Sequence, residues 1–296
     1  MKVVVTGASS AFARALLPAL CRAAAIEAVT GIDARPLRFA HPKLSAVALD
    51  SSDSAVAGIL PGHEALVHLV SCTALKPEGS VEGAEPGVRG AHKLFHAAHA
   101  AGLQRLIHVS SASVYGPAVH ANEQAALRPL AGFAYAEQQA HLEQLLAIDF
   151  RECVRLRPHV IVGPHAHRHV KALLRQPFYP RLPDPQPLFQ CVHEDDLATA
   201  VLLCLQSDAR GAYNIASEDS ISLRDAIRAR HMLSIGLSES VARSGLRLAS
   251  RVLGHGLDPI WLERVSHTLL INCRRAAIEL GWRASYGARE AIAATT

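Results

Sequence analysis

Short apolar runs alternate with longer Ala- and Leu-rich stretches through the first half of the chain. Each apolar run has the length of a buried strand, and the stretches between them have the length and composition of helices. Strands are predicted at 2–6, 28–32, 65–70, 105–109 and 153–156, with a further strand ending at 47–49. Helices are predicted after the first strand to about residue 25, at 91–101 and around 135–146. Strands that alternate with helices imply right-handed crossovers, so the pattern predicts an α/β fold with a doubly wound parallel sheet.

The pattern changes after Gly163 and Pro164, where four prolines interrupt an irregular stretch at 180–187 and helices are expected to dominate from Leu197. In doubly wound folds the ligand binds beyond the carboxyl ends of the strands. The second half is therefore interpreted as a smaller, mainly helical substrate lobe. The expected division is 1–163 and 164–296, with the option that the chain crosses back between the two parts.

A glycine turn and a carboxylate follow the first two predicted strands. Gly7 allows a tight turn into a helix, whose free N–H groups can bind a pyrophosphate. Asp33 ends the second strand, where a carboxylate can accept hydrogen bonds from ribose hydroxyls. This order predicts a Rossmann-type dinucleotide site. NAD is the expected cofactor because Asp33 would repel a 2′-phosphate, and Arg35 keeps NADP as the alternative.

The segment Thr6-Gly7-Ala8-Ser9-Ser10-Ala11-Phe12-Ala13 resembles the TGxxGxxG fingerprint of extended short-chain dehydrogenases/reductases, the NAD-dependent epimerase/dehydratase family. Further segments resemble later motifs of that family in the same order: SSxxVYG at 110–116, YxxxKxxxE at 135–143, RPxxVxGP at 157–164, and landmarks at 192–196 and 279–282. The cofactor site that the resemblance implies comprises Gly7, Ser9, Ser10, Ala11, Phe12, Asp33, Asp50, Leu69, Val70, Tyr135 and Gln139. Asp50 would meet the adenine, and a helix N-cap is the alternative interpretation.

The resemblance also implies catalytic roles. Ser111 would donate a hydrogen bond to the substrate carbonyl, and Tyr135 would transfer the proton. The alternatives are a strand-end serine bonded to backbone and a helix tyrosine packed on the sheet. Such proteins often pair as homodimers through the helices that carry the YxxxK tyrosine.

This sequence departs from the family pattern at several positions. Ser10 replaces the second glycine, and its hydroxyl is expected to donate to a phosphate oxygen instead. The usual asparagine is replaced near Pro86 and Gly87. Gln139 stands where the family has lysine, on the same helical face as Tyr135. Gln139 can hold the nicotinamide ribose, but it brings no charge to lower the pKa of the tyrosine.

The missing charge has a kinetic consequence. An ordinary tyrosine with a pKa near 10 is only about 0.1% phenolate at pH 7. Alcohol oxidation, which needs the phenolate as base, is therefore expected to lose around three powers of ten and to rise steeply in alkali. Carbonyl reduction needs the neutral phenol, which is abundant.

Composition excludes several classes of protein. The chain of 296 residues is 50% hydrophobic and 19% charged, with a net charge of +4 and scattered Lys and Arg, which disfavours nucleic-acid binding. No apolar stretch has the length of a membrane span. Six cysteines without a CxxC pair are expected to be buried free thiols in a cytoplasmic protein. The histidines at 165–169 are interpreted as a loop, with no metal site.

Charge adds one further expectation. Arg243, Arg247 and Arg251 form a basic stripe that is usually a solvated helix face, but together with Arg157 they suggest an anionic small-molecule substrate. The leading functional interpretation is an NAD(P)-dependent oxidoreductase or epimerase/dehydratase-like enzyme acting on a carbonyl or secondary alcohol. The alternative is a non-catalytic dinucleotide-binding sensor or scaffold. The sequence does not choose between nucleotide-sugars and sterol-like alcohols as substrates.

Overall fold

A computed structural model of the protein describes residues 1–69, 84–182, 184–230, 234–238, 241, 244 and 265–295. The strands are β1 (Lys2–Thr6), β2 (Ala28–Ile32), β3 (Leu44–Val47), β4 (Ala65–Leu69), β5 (Arg105–Val109), β6 (Ala118–Ala121), β7 (Val154–Pro158), β8 (Val160–Val162), β9 (Phe178–Pro180), β10 (Leu188–Phe189), β11 (Cys191–His193), β12 (Gly211–Ile215), β13 (Ile221–Ser222), β14 (Ile235–Leu237) and β15 (Leu269–Ile271). The helices are α1 (Ala13–Arg22), α2 (Ala84–Ala100), α3 (Ala134–Asp149), α4 (Arg168–Arg175), α5 (Glu194–Gln206), α6 (Leu223–Arg228), α7 (Arg274–Glu279) and α8 (Ala288–Ala293).

The main sheet has seven strands in the order β12-β7-β5-β4-β1-β2-β3, and every pairing in it is parallel. Alternate residues of β1 serve the two faces: Val3 and Val5 pack with α1 and α5, whereas Val4 packs with α2 and α3. Because both faces are covered by helices, the strands are largely apolar, as buried parallel strands require. The predicted fold class is confirmed.

The second half of the chain returns to this sheet. Strand β12 forms one edge of the sheet beside β7, and α5 packs against α1. The second half of the chain thus contributes a strand and a helix to the main sheet, and the division between residues 163 and 164 stays a prediction. From Leu197 onward the described helices cover more residues than the strands, as expected, but the prediction did not include the short strands β12, β13, β14 and β15. Their two- to five-residue lengths are too short for the apolar pattern to distinguish them from helix or loop.

Smaller sheets stand beyond the carboxyl ends of the main strands. Strands β13, β10, β15 and β6 form a four-stranded sheet, and two further pairs join β11 with β8 and β9 with β14. Strand β8 follows β7 after the single residue His159, so the main sheet leads directly into this region. The residues that end β5 and β7 therefore lie where the two parts of the fold meet.

Two compositional expectations bear on this fold. The five cysteines in the described residues are free, and all but Cys273 are buried; Cys72 lies outside those residues. Within the same part of the chain, no helix is both long enough and apolar enough to cross a membrane.

Candidate functional site

The turn after β1 is tightly packed against the end of β4. Gly7 has a φ of +71°, and a Cβ at this position would lie 2.2 Å from the carbonyl oxygen of Leu69. Glycine is required here both by the backbone conformation and by the close approach. The Ser10 N–H then donates to the Gly7 carbonyl at 3.0 Å, which closes the turn before α1 begins.

Ser10 does not block this turn. Its Oγ accepts a hydrogen bond from the Ala13 N–H at 3.3 Å, so the hydroxyl hydrogen can still be donated. The backbone N–H groups of Ala11 and Phe12 meet no acceptor among the described residues. Two free N–H groups at the start of a helix are a favourable site for an anion.

Asp33 lies directly behind the turn and is 8% exposed. Its Oδ2 accepts from the Ser9 N–H at 3.0 Å, and its Oδ1 accepts from the Arg35 N–H at 3.0 Å and Nε at 3.3 Å. Burial acts to raise the pKa of Asp33, but the hydrogen bonds from Ser9 and Arg35 outweigh it and lower the pKa. Asp33 is therefore a carboxylate at neutral pH, and Oδ2, which accepts only the Ser9 bond, keeps a lone pair for a further donor.

A cleft of about 740 Å³ opens beside the turn, and we call it the glycine-turn cleft. Its lining comprises Ser9, Ser10, Ala11, Phe12, Arg35, Leu69, Val109, Ser110, Tyr135, Ile161, His165, Ala166 and His167. The structure thus brings together most of the predicted cofactor residues, with Gly7 and Asp33 in contact with the wall. Val70 lies outside the described residues. Sequence reasoning missed Ile161 and His165, which lie far along the chain from the turn.

Asp50 is not among the described residues that line this cleft. Its Oδ1 accepts from the Ser52 N–H at 2.9 Å and from the Ser52 hydroxyl at 2.7 Å. The N-cap of the following short helix is Asp53, whose side chain accepts from the Ala55 N–H. The N-cap alternative for Asp50 is therefore wrong, because Asp50 stabilises a turn before the helix. Its contact with adenine stays a prediction.

Ser111 begins a short 3-10 helix at the end of β5. Its Oγ accepts from the Ser113 N–H at 3.2 Å and from the Ser113 hydroxyl at 2.8 Å. The side chain does bond to backbone, as the alternative interpretation held, but only as an acceptor. Its own hydroxyl hydrogen can therefore be donated to a substrate oxygen.

Tyr135 lies in the first turn of α3 and lines the glycine-turn cleft. Gln139, one turn later, does not line it. Gln139 is 2% exposed, and its side-chain oxygen lies 3.0 Å from His108 Nε2. The residue at the lysine position is thus held inside the protein by a histidine of β5.

A buried polar chain continues from Gln139 under the sheet. The rings of His108 and His68 stack with centroids 5.5 Å apart, and His68 Nδ1 lies 2.7 Å from the Thr6 hydroxyl. Burial lowers the pKa of both histidines to about 3. The chain from Thr6 to Gln139 is therefore uncharged at neutral pH. Sequence reasoning did not single out this chain, although His68 and His108 are unusual polar residues within apolar strands.

Arg157 is only 5% exposed and is fully engaged. Its Nη2 and Nε donate to the Glu143 carboxylate at 2.6–3.0 Å, and its Nη1 donates to the Tyr115 hydroxyl at 2.5 Å and to the Glu123 carbonyl at 3.1 Å. Arg157 is therefore not available to bind an anionic substrate, although the sequence suggested that role. The other three, Arg243, Arg247 and Arg251, lie outside the described residues.

The histidine-rich stretch at 165–169 is a loop only in part, because α4 begins at Arg168 and contains His169. Its first histidine contacts a carboxylate that lies far along the chain. His165 Nδ1 lies 2.7 Å from Glu194 Oε1. Elsewhere in the described chain, only His92 and His96 of α2 and Asp149 of α3 bring three potential metal-ligand atoms within 4.8 Å of one another. These side chains are half-buried or exposed and are outside the glycine-turn cleft.

A second cavity, of about 900 Å³, lies beside the first, and we call it the apolar cavity. Its described lining comprises Ser113, Gly116, Pro117, Leu130, Phe133, His159, Val160, Val162, His169, Val170, Leu173, Leu174, Phe189, Cys191, Leu223, Val265, His267, Leu269 and Ile292. None of these residues is Lys, Arg, Asp or Glu. The sequence did not predict this cavity, because its walls come from many distant segments.

The model of the NAD-dependent epimerase/dehydratase family matches residues 3–216. The chain belongs to this family. That membership confirms the resemblance seen in the motifs. A search of curated proteins finds none that matches the chain.

Solved structures of several family-like proteins share the fold. MoeE5 in complex with UDP-glucuronic acid and NAD is 22% identical, with a TM-score of 0.74 over 100% of this chain and 97% of that one. UDP-glucose 4-epimerase from Thermotoga maritima with UDP-glucose is 16% identical, with a TM-score of 0.76 over 100% and 97%. The protein gox2253 is 20% identical, with a TM-score of 0.77 over 99% and 96%. At such identities the likeness shows the fold and not the substrate.

Proposed function

We propose that the protein binds NAD in the glycine-turn cleft and acts as an oxidoreductase or epimerase/dehydratase-like enzyme on a carbonyl or secondary alcohol. One observation carries the proposal: Tyr135 opens onto the same cleft as the unpaired N–H groups of Ala11 and Phe12. A proton-transferring group and an anion-binding turn thus share one cavity. The solved relatives MoeE5 and the Bacillus cereus UDP-glucuronic acid 4-epimerase contain NAD.

The residues of the cleft fit a dinucleotide. The turn offers the Ala11 and Phe12 N–H groups and the Ser10 hydroxyl to a pyrophosphate. Asp33 can accept hydrogen bonds from an adenosine ribose, and its negative charge favours NAD over NADP. When bound, NAD supplies the carbon that accepts or donates hydride.

The protein's own groups handle the substrate oxygen and its proton. Ser111 donates a hydrogen bond to that oxygen, and Tyr135 gives or takes the proton at its phenol oxygen. Gln139, His108 and His68 are uncharged at neutral pH, so they supply no positive charge to favour a phenolate. The site is therefore better suited to carbonyl reduction, which uses neutral tyrosine, than to alcohol oxidation at neutral pH.

A non-catalytic role is the second candidate. It is favoured by the burial of Gln139 and its contact with His108, because a lysine at this position is part of the family's catalytic machinery. A protein that keeps the cleft without that lysine can serve as a dinucleotide sensor or scaffold.

Two measurements separate these candidates. Calorimetry with NAD⁺, NADH, NADP⁺ and NADPH tests binding, and NADH absorbance in the presence of a ketone panel tests hydride transfer. Tyr135→Phe is expected to lower the rate by about 10²- to 10⁴-fold with cofactor affinity unchanged. Tyr179→Phe, which removes a hydroxyl outside the glycine-turn cleft, is the matched control. Tight binding without turnover even at pH 10 supports the sensor, and failure to bind either dinucleotide overturns both candidates.

A further inference from the structure

We infer that the apolar cavity takes the substrate, and that the substrate is an uncharged, largely apolar ketone or secondary alcohol instead of a nucleotide-sugar. This inference rests on the proposed function, since it assigns the ligand of the same site. It departs from MoeE5 and the Thermotoga epimerase, whose structures hold UDP-sugars.

The two cavities share their walls. Four short segments each contribute residues to both cavities. The glycine-turn cleft is lined by Ile161, Ser110, Tyr135 and His167. The apolar cavity is lined by residues close to them in the chain, namely Val160, Val162, Ser113, Phe133 and His169. A ligand in the apolar cavity is therefore separated from the cofactor cleft by no more than one layer of residues.

The residues proposed to act on the substrate oxygen contact the wall of this cavity. Ser113 lines the apolar cavity, and its hydroxyl donates to Ser111 Oγ at 2.8 Å. Phe133 lines it as well, and its ring centroid lies 5.9 Å from that of Tyr135. Ser111 and Tyr135 are thus each in contact with a residue that lines the apolar cavity.

Two polar side chains of the cavity wall are already used within the protein. His159 Nε2 lies 3.0 Å from the Leu269 carbonyl oxygen, and its Nδ1 accepts from the Val160 N–H at 2.8 Å. The Ser113 hydroxyl is committed to Ser111. A pyrophosphate would therefore find no cation among the described lining residues, and burying an unpaired charge is costly.

Helix α4 presents apolar side chains to the cavity and keeps its basic side chains away from it. Its apolar residues Val170, Leu173 and Leu174 line the cavity, whereas Arg168 and Arg175 are exposed. Lys171 Nζ donates to the Pro164 carbonyl at 2.6 Å. None of these three basic side chains lines the apolar cavity.

The wall of the cavity is compatible with an apolar organic ligand. Ligand pockets are lined mainly by apolar groups, and the described lining of this cavity is largely aliphatic and aromatic. Burial of apolar ligand surface, at roughly 25 cal/mol per Å², is then the main source of affinity. The ligand class follows from the wall: a hydrocarbon or aromatic body that carries one oxygen to be reduced or oxidised.

The test uses 6-propionyl-2-dimethylaminonaphthalene, an uncharged aromatic ketone whose fluorescence reports an apolar environment. Binding is titrated in the full-length protein with and without NADH, and UDP-glucose is added as competitor. We expect the ketone to bind with a blue-shifted emission and UDP-glucose not to displace it. Displacement by UDP-glucose, or tighter calorimetric binding of UDP-glucose than of the ketone, would overturn the inference.

Two lysine variants of α4 test whether the ketone binds in the apolar cavity. Leu173→Lys places an ammonium at the half-buried cavity wall, and Ala172→Lys places one on the exposed face of the same helix. Ketone affinity is expected to fall at least tenfold in Leu173→Lys and to stay unchanged in Ala172→Lys, with NADH affinity unchanged in both. Equal ketone affinity in the two variants would overturn the inference. Failure of NADH binding alone would instead overturn the proposed function.

Discussion

The two neighbouring cavities differ sharply in polarity although they share walls. The glycine-turn cleft presents Ser9, Ser10, Arg35 and backbone N–H groups, whereas the apolar cavity has no charged residue among its described lining. Strand β8 illustrates how one segment serves both, because side chains alternate along a strand. A single strand can therefore present polar surroundings to one cavity and an apolar wall to its neighbour, because each residue faces only one of the two.

The largest effect that would separate the cavities comes from Gly7→Ala. The added methyl group would lie 2.2 Å from the Leu69 carbonyl oxygen, so the turn must move away from its present position. NAD affinity measured by calorimetry is expected to fall on the order of a hundredfold or more, with ketone binding in the apolar cavity unchanged.

Gly281→Ala is the control for this variant. Gly281 also has a positive φ, +64°, but a Cβ there meets nothing within 4 Å. The two variants therefore share the conformational cost of alanine, and only Gly7→Ala adds the steric clash. Unchanged NAD affinity in Gly7→Ala would show that this turn does not bind the pyrophosphate.

The fold was predictable because buried parallel strands leave a strong local signal. The bounds of β1, β2 and β5 agree with the predicted ranges, since each is a short apolar run with a turn residue or a charge beside it. Helix α1 begins at Ala13, after the predicted turn, and ends at Arg22, about one turn before the predicted end. Helix α2 begins earlier, at Ala84, since its first turn lacks the apolar periodicity on which the prediction depended.

The site was less predictable because its decisive contacts join residues distant in sequence. Motif spacing placed Tyr135 in the cleft, but it could not show that His108 holds Gln139. It also could not show that the Arg157 guanidinium donates hydrogen bonds to the Glu143 carboxylate, 14 residues earlier in the chain. Arg157 contributed to the suggestion of an anionic substrate, although its carboxylate partner is visible only in three dimensions.

Gln139→Lys tests whether the missing charge near Tyr135 controls the chemistry. An ammonium one helical turn from Tyr135 is expected to lower the pKa of the proton acceptor by about 1 to 2 units. The oxidation rate at pH 7 should then rise roughly ten- to a hundredfold, and its alkaline rise should move to lower pH. Stopped-flow NADH formation across pH 6–10 measures both.

The matched variant is Gln139→Met, which loses the contact with His108 without adding charge. Its pH profile of oxidation should coincide with that of the unsubstituted protein. Ketone affinity should be unchanged in both variants because Gln139 does not line the apolar cavity. If lysine left both the rate and the profile unchanged, the missing charge would not be what limits oxidation.

Acid should weaken the fold through the histidines beneath the glycine-turn cleft. His108 has a folded pKa of about 3, against an ordinary value of 6.5. As the pH falls below 6.5, the unfolded chain binds a proton that the folded chain excludes, so the free energy of unfolding decreases until about pH 3. At pH 5 this amounts to roughly 2 kcal/mol for one such histidine.

Urea unfolding at pH 7 and pH 5 measures this effect. His108→Phe keeps a ring but cannot titrate, so its loss of stability between the two pH values should be smaller by roughly 2 kcal/mol than that of the unsubstituted protein. His141→Phe, at an exposed position of α3, is the control and should leave the difference unchanged. An unchanged difference in His108→Phe would mean that the buried pair takes up protons without opposing folding.

The smallest expected effect concerns cofactor choice and comes from Asp33→Asn. The asparagine can still accept from the Ser9 N–H, but the negative charge that repels a 2′-phosphate is lost, and Arg35 remains at the edge of the cleft. The ratio of NAD to NADP affinity is expected to fall about tenfold, or roughly 1.4 kcal/mol. Asp53→Asn, the same change at a helix N-cap, should leave that ratio unaltered. Because neither variant touches the apolar cavity, ketone affinity must stay constant in both; a parallel loss of ketone binding in Asp33→Asn would show that the two cavities are energetically coupled and not merely adjacent.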